Sequence, residues 1–310
     1  MGLPHDYKVE GLVCGSSEKG HIVLEFPPAK QLRFDDVRFI DTTMAFLGPC
    51  QGKPIFHGRQ RELDNLPLET RPVRVEDVRP AASTFSVDRE GFALVAHQSG
   101  VRDFSDSAAV RDVYLPELED LVRAVTGAAK AVAMKGGVIR RSERSSAYRK
   151  DGTTVLGRFA HCDFSPNPAG SRFWVEQALS SDEARQRLSR RFAIFTVWRV
   201  LSEPPQDTPL ALCDARSVRP HDEVYTDCVI DPVDGPGFTF ENSVFRYDAR
   251  QRWCFFSDMT RDEALVFKGF DSDTSRARVV PHAAFDDLSC PADAPPRESI
   301  DQRVIAFFDD

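Results

Sequence analysis

The strongest constraint on the fold is a run of short, β-branched and aromatic segments after residue 190 with no helical pattern between them. They read "FAIFTVWRVL" (192–201), "PLALCD" (209–214), "WCFFS" (253–257), "ALVFKGF" (264–270), "RVVPHAAF" (278–285) and "SIDQRVIAFF" (299–308), separated by Pro, Asp and Gly turns. Such residues suit pleated, half-buried surfaces, and the separators break strands. Strands in series without crossover helices cannot build a parallel α/β sheet, so the pattern predicts a sandwich or jelly-roll barrel.

Earlier residues read differently. In "YLPELEDLVRAVTG", Leu115, Leu118, Leu121, Val122 and Val125 recur at helical spacing, Pro116 suits a first turn and Gly127 a stop, which predicts a helix over 115–126. A second helical stretch is expected over 172–191, with Ser181 as N-cap in "SSDEARQRLSRR". Both helices should pack outside the barrel, giving a mainly β, α+β architecture. "STFSVDREGFALVAHQSG" alternates around a Gly turn as a hairpin would. Residues 1–80 mix strand-like pieces such as "HIVLEF" with proline and charge and read as an N-terminal flanking region, leaving 81–310 as the main domain.

The 310 residues suffice for a large core, and 41% hydrophobic with 28% charged residues is an ordinary globular composition. A net charge of −8 argues against nucleic acid or anionic membrane as partner. No apolar run is long enough to span a bilayer, and "MGLPHDYKVEG" lacks the apolar core of a signal peptide, so a cytoplasmic protein is expected, as monomer or homodimer. Seven scattered cysteines without a CxxC pair make a poor disulfide framework or zinc knuckle and read as buried thiols.

In "AHCDFSP" (160–166), an extended backbone points His161 and Asp163 the same way and Cys162 the other. An imidazole beside a carboxylate is half of a metal site or a hydrogen-bonded pair in a turn. Of the remaining histidines, His282 stands in an apparent strand, where it is a third ligand or a core histidine bonded to backbone. His161, Asp163 and His282 together would form the two-histidine, one-carboxylate set that leaves three positions open on Fe(II). Fifteen positions past His282, "PPRESIDQRVIAFF" puts Arg297, Ser299, Asp301 and Arg303 on one strand face. A buried guanidinium opposite a metal requires an anion, and its fork suits bidentate capture of a carboxylate; otherwise these arginines pair with surface acids. Arg199, in an apolar strand, must face a cavity or a buried acid, whereas Lys268 in "ALVFKGF" is expected on the solvent face.

With HxD, a late His and a following Arg-x-Ser in order, the chain resembles the Fe(II)/2-oxoglutarate-dependent oxygenases, and within them a hydroxylase/desaturase family. That likeness is carried by "VWRVL" (197–201), "PLALCDARSV" (209–218), "FSDMTRDEALVFKGFDS" (256–272) and "PHAAFDDLSCPADAPPRESIDQR" (281–303). It covers roughly residues 80 to 310. The resemblance implies a double-stranded β-helix (jelly-roll, cupin-like) core, iron held by His161, Asp163 and His282, and 2-oxoglutarate anchored by Arg297 and Ser299. Arg303 is the fallback anchor and Arg199 a further co-substrate contact. It also implies dioxygen and a small-molecule, secondary-metabolite substrate that is hydroxylated, desaturated or cyclised, with ascorbate as reductant. A metal-dependent hydrolase or isomerase on a similar barrel, or a non-catalytic small-molecule-binding barrel, would explain the ligand set alone.

Overall fold

The computed structural model describes residues 37–58, 60–148, 156–230 and 237–309. Strands β1 (Phe39–Leu47), β2 (Ile55–His57) and β3 (Leu68–Asp77) come first. A 3-10 turn over Arg79–Thr84 and a tight turn at Gly91, whose φ of +92° suits glycine, lead into β4 (Phe92–Ala96). A continuous helical segment follows, made of α1 (Ser107–Ala109), a π turn (Val110–Tyr114) and α2 (Leu115–Thr126). Next come β5 (Lys130–Ala133), β6 (Val138–Arg141), the two-residue β7 (His161–Cys162), α3 (Pro168–Ala178) and α4 (Ser181–Arg187). The rest is β: β8 (Phe192–Val200), β9 (Leu210–Cys213), β10 (Glu223–Ile230), β11 (Phe238–Phe245), β12 (Trp253–Phe255), β13 (Glu263–Asp271), β14 (His282–Ala284) and β15 (Glu298–Phe307).

Two sheets result. One has nine strands in the order β1-β3-β12-β9-β14-β7-β11-β10-β2; the other runs β4-β13-β8-β15-β5, with β6 also on β15. Trp198, Val200, Leu265 and Phe267 from the smaller sheet pack against Leu210, Leu212 and Cys254 from the larger, which makes the space between them the barrel interior. The larger sheet curls: Ala160 N donates to Ala45 O at 2.8 Å, so β1 lies along the approach to β7. This is the expected jelly-roll core, with α2 outside it; α3 and α4, expected outside as well, pack instead through Val175 and Ala184 against Phe192, Ile194, Ile305 and Phe307, the face of the smaller sheet that also carries Trp198. The apolar stripe Leu118, Leu121 and Val122 of α2 buries against Phe195, Val197, Val266 and Val304 on the outer face of the smaller sheet, at roughly 1.5–3 kcal/mol for each large side chain removed from water. Gly127, at φ +71°, ends that helix with its N–H on Arg123 O.

Four other expectations need correction. The proposed hairpin around Gly91 is not one, because residues before it form the 3-10 turn and β4 pairs instead with β13. The second helix is two: Leu179 leaves the helical region and Ser180, not Ser181, caps α4 through Glu183 N. Lys268 is fully buried rather than solvated, its Nζ 2.9 Å from Asp88 Oδ1 and 2.8 Å from Asp271 Oδ2, because β13 is a central strand with both faces covered. The strand expected over 278–285 shrinks to His282–Ala284. Of the six cysteines among the described residues, Cys162, Cys213, Cys228 and Cys254 are buried and none of the six is in a disulfide. "HIVLEF" lies outside the described residues.

Candidate metal centre

His161 and His282 meet because β7 and β14 are antiparallel neighbours in which these two residues are direct partners. Directly opposed residues carry their side chains on the same face, here the interior one, and the ring centroids are 4.4 Å apart. The neighbours Cys162 and Ala283 turn to the opposite face. Asp163, two residues after His161, returns to the interior, with its Oδ1 3.9 Å from His161 Nε2. One ligand atom from each of His161, Asp163 and His282 lies within 4.8 Å of the other two, a spread that could hold a metal ion.

The groups around these three orient them. His161 Nδ1 lies 2.8 Å from Phe159 O and His282 Nδ1 3.2 Å from Val280 O. A ring nitrogen that donates to a carbonyl leaves the other nitrogen as a lone-pair donor, the arrangement metal-ligating histidines use. Burial, followed by the neighbouring His161 ring, pulls His282 down to about 3, so it is neutral at physiological pH. For Asp163, burial alone would raise the carboxyl, yet Arg303 and both histidines hold it well below the usual carboxylate range. Arg303 Nη2 donates to Asp163 Oδ2 at 2.9 Å and its Nη1 to Asp301 Oδ1 at 3.1 Å.

Arg297 enters the same cavity, which His161, His282, Trp198 and Phe267 also line. It is 1% exposed. Its backbone N–H donates to Asp207 Oδ1 (2.8 Å) and its Nη1 to Thr208 O (2.7 Å), and the guanidinium carbon sits 5.5 Å from the Trp198 ring centre. Asp207 is held in turn by Ser142 Oγ at 2.6 Å. Burial, reinforced by Arg140, draws Arg297 down to about 9. Two buried polar atoms find no partner here, Arg297 Nε and Ser299 Oγ. Buried polar groups are ordinarily satisfied, so an unpaired guanidinium N–H and hydroxyl on neighbouring strand positions mark a place for an acceptor. The cavity holds only about 20 Å³, room for roughly one water. Gly157 contributes to this tightness, since a Cβ there would lie 2.4 Å from His161 Cε1.

Arg199 does not reach this cavity. It alternates with Trp198 on β8 and emerges on the helix-covered face, where it donates to His97 O (2.8 Å) and Tyr114 Oη (3.3 Å) and also contacts Arg261 O. Its Nη2 also meets His97 Nδ1, so its buried partners are carbonyls, a phenol and an imidazole, not an acid. Reading the sequence missed Asp207, Arg140 and the ionic role of Asp301; Asp207 and Arg140 act on residues far along the chain, and the alternation that put Asp301 on one face with Arg303 does not show that the two pair. A wider concavity of about 800 Å³, which Phe39, Arg74, Tyr247 and Leu288 help to line, contains none of the three grouped ligands.

Comparison with known proteins gives the family. The family described as Oxidoreductase/YMDC permease-like domain matches residues 44–307. The hydroxylase/desaturase CTB9 of Cercospora beticola is 34% identical, with 78% of each chain covered. The Fe(II)/2-oxoglutarate-dependent dioxygenase nvfI of Aspergillus novofumigatus is 30% identical over 76% of this chain and 82% of its own. Among solved structures, the iron and alpha-ketoglutarate-dependent endoperoxidase NvfI superimposes with a TM-score of 0.76 at 29% identity, covering 87% of this chain and 98% of that one.

Proposed function

Since the chain belongs to the hydroxylase/desaturase family of Fe(II)/2-oxoglutarate-dependent oxygenases, we propose that His161, Asp163 and His282 hold its iron. Arg297, with Ser299, receives the far carboxylate of 2-oxoglutarate. The observation that carries this assignment is the convergence of three ligand atoms at the cavity that His161, His282 and Arg297 line, together with two buried donors, Arg297 Nε and Ser299 Oγ, that lack an acceptor. A hydrolase using only a metal-bound water would leave Arg297 and Ser299 unexplained.

When bound, iron and 2-oxoglutarate supply the power to oxidise an unactivated C–H bond with dioxygen. The chain's own residues bind, orient and exclude water. The carbonyls of Phe159 and Val280 hold the two imidazoles with Nε2 inward, Asp207 and Thr208 hold Arg297, and Trp198 and Phe267 wall the cavity with apolar surface. A guanidinium fork and an adjacent hydroxyl match a carboxylate's lone pairs. Because the cavity is narrow, admitting a five-carbon diacid requires the side chains around it to move apart. The substrate is a small molecule of secondary metabolism, hydroxylated, desaturated or cyclised by a cytosolic monomer or homodimer, and the net charge of −8 argues against nucleic acid or anionic membrane as partner.

Equilibrium binding tests the assignment without turnover. Co(II) followed by 2-oxoglutarate is titrated into the wild type and Arg297→Leu. The variant should bind the metal normally and the diacid weakly, and equal diacid affinity in the two proteins would refute the anchor.

A further inference from the structure

Resting on the metal assignment above, we infer that Asp301 is a positioning residue that keeps one oxygen of Asp163 available to the metal. The four charged side chains Asp163, Arg303, Asp301 and Arg140 form a linear array. Arg303 Nη2 takes Asp163 Oδ2 (2.9 Å), Arg303 Nη1 takes Asp301 Oδ1 (3.1 Å), and Asp301 Oδ2 accepts from Arg140 Nε (2.8 Å). Asp163 Oδ1 is the atom left facing His161 Nε2.

The array follows from the strands. Asp301 and Arg303 alternate onto the same face of β15, and β6 pairs with β15 so that Arg140 lies opposite Ser299, one pleat from Asp301. Asp301 is 6% exposed, which makes its two charged bonds strong and its removal costly.

A guanidinium beside an isolated carboxylate prefers to fork both oxygens with parallel bonds. Bidentate pairing of Arg303 with Asp163 would take the syn lone pair of both oxygens and leave a metal only the less basic anti positions. Asp301 prevents this by drawing one Nη away, and by separating the like charges of Arg140 and Arg303 it keeps Arg303 from swinging toward the cavity. The array contains two cations and two anions and is neutral, so it orients Asp163 without setting a net charge against the incoming divalent ion.

Co(II) alone is the probe, with no 2-oxoglutarate and no turnover. Asp301→Asn retains size but loses the charge; it should bind Co(II) about 10–100-fold more weakly than the wild type, with an altered d–d spectrum, and Asp301→Glu should recover part of the loss. If Asp301→Asn does not fold by circular dichroism, Arg303→Lys, which keeps the cation but loses the fork, must show the same weakening. A folded Asp301→Asn with wild-type Co(II) affinity and spectrum overturns the inference, even if its melting temperature falls. Failure of both variants to fold assigns the array to folding and overturns it equally. A wild type that binds no Co(II) refutes the metal assignment itself.

Discussion

His161 and His282 are direct antiparallel partners, although 121 positions separate their numbers in the chain and each sits on a strand of three residues or fewer. Strands this short contribute little pairing energy of their own. They are held by the longer neighbours β9 and β11, so the two candidate metal ligands are mounted on a scaffold that the rest of the barrel supports.

Removing either imidazole should therefore abolish metal binding without unfolding the protein. His161→Ala and His282→Ala should each weaken Co(II) binding by more than the roughly 10–100-fold typical of outer-shell changes. Their melting temperatures without metal should stay close to wild type. Calorimetric titration and thermal unfolding check both halves.

Arg297→Leu should cost on the order of 2–5 kcal/mol in 2-oxoglutarate affinity, the usual effect of truncating one side of a buried charge pair. Ser299→Ala should cost about 0.5–1.5 kcal/mol, one neutral hydrogen bond. The ratio of the two, read from competitive binding, separates a charged anchor from its accessory.

Arg199 should matter for stability and not for the co-substrate. Its bonds to His97 O, Tyr114 Oη and Arg261 O tie β8 to two loops and the π turn on the outer face. Arg199→Met should lower unfolding free energy by about 2–4 kcal/mol through a broken buried network, with 2-oxoglutarate affinity unchanged in the remaining folded protein.

The same contact makes a pH prediction. Burial, and then the Arg199 charge, pull His97 down to about 4 from an ordinary value near 6.5. Between these values the unfolded chain binds a proton that the fold refuses. The contribution is thus complete above about pH 6.5, shrinks as pH falls toward 4 and is flat below it. The loss should reach about 1–3 kcal/mol, discounted because the ring is partly exposed. His97→Gln should flatten this segment of the stability profile in denaturant titrations.

Much of this site was legible because its chemistry follows local rules. The HxD spacing put His161 and Asp163 on one face, and alternation along β15 and the residue just before it brought Arg297, Ser299, Asp301 and Arg303 inward together. Helix α2 matched its expected limits because its stripe, Pro116 and Gly127 all act within the segment. Other features depend on what covers a strand. Arg199 and Lys268 are both buried on the helix-covered side, and alternation alone cannot tell that side from solvent. Strands β10 and β11 escaped notice because "EVYTDCVI" and "FTFENSVF" carry polar residues among the apolar ones, as partly exposed strands do. Arg303 was a candidate anchor until Asp163 and Asp301 were seen to occupy it, and those distances come only from tertiary structure.

Gly157 offers a steric test of how closely the centre is packed. A Cβ at that position meets His161 Cε1 at 2.4 Å, below any ordinary contact. Gly157→Ala should displace the His161 ring and weaken Co(II) binding about 10-fold or more, by analogy with lost outer-shell support. Gly58→Ala, where the nearest atom is 3.6 Å away, should leave it unchanged.

The central claim is that this chain uses His161, Asp163, His282 and Arg297 to couple 2-oxoglutarate to oxidation of a small molecule. The most direct test is succinate formed from 2-oxoglutarate under air with added Fe(II), measured for the wild type, His161→Ala and Arg297→Leu, with and without a metabolite extract. The account predicts Fe(II)-dependent succinate that rises with the extract, none from His161→Ala, and recovery of Arg297→Leu only at much higher 2-oxoglutarate. Succinate formed equally well by His161→Ala, or no 2-oxoglutarate consumption by an Fe(II)-loaded wild type under any of these conditions, would contradict it.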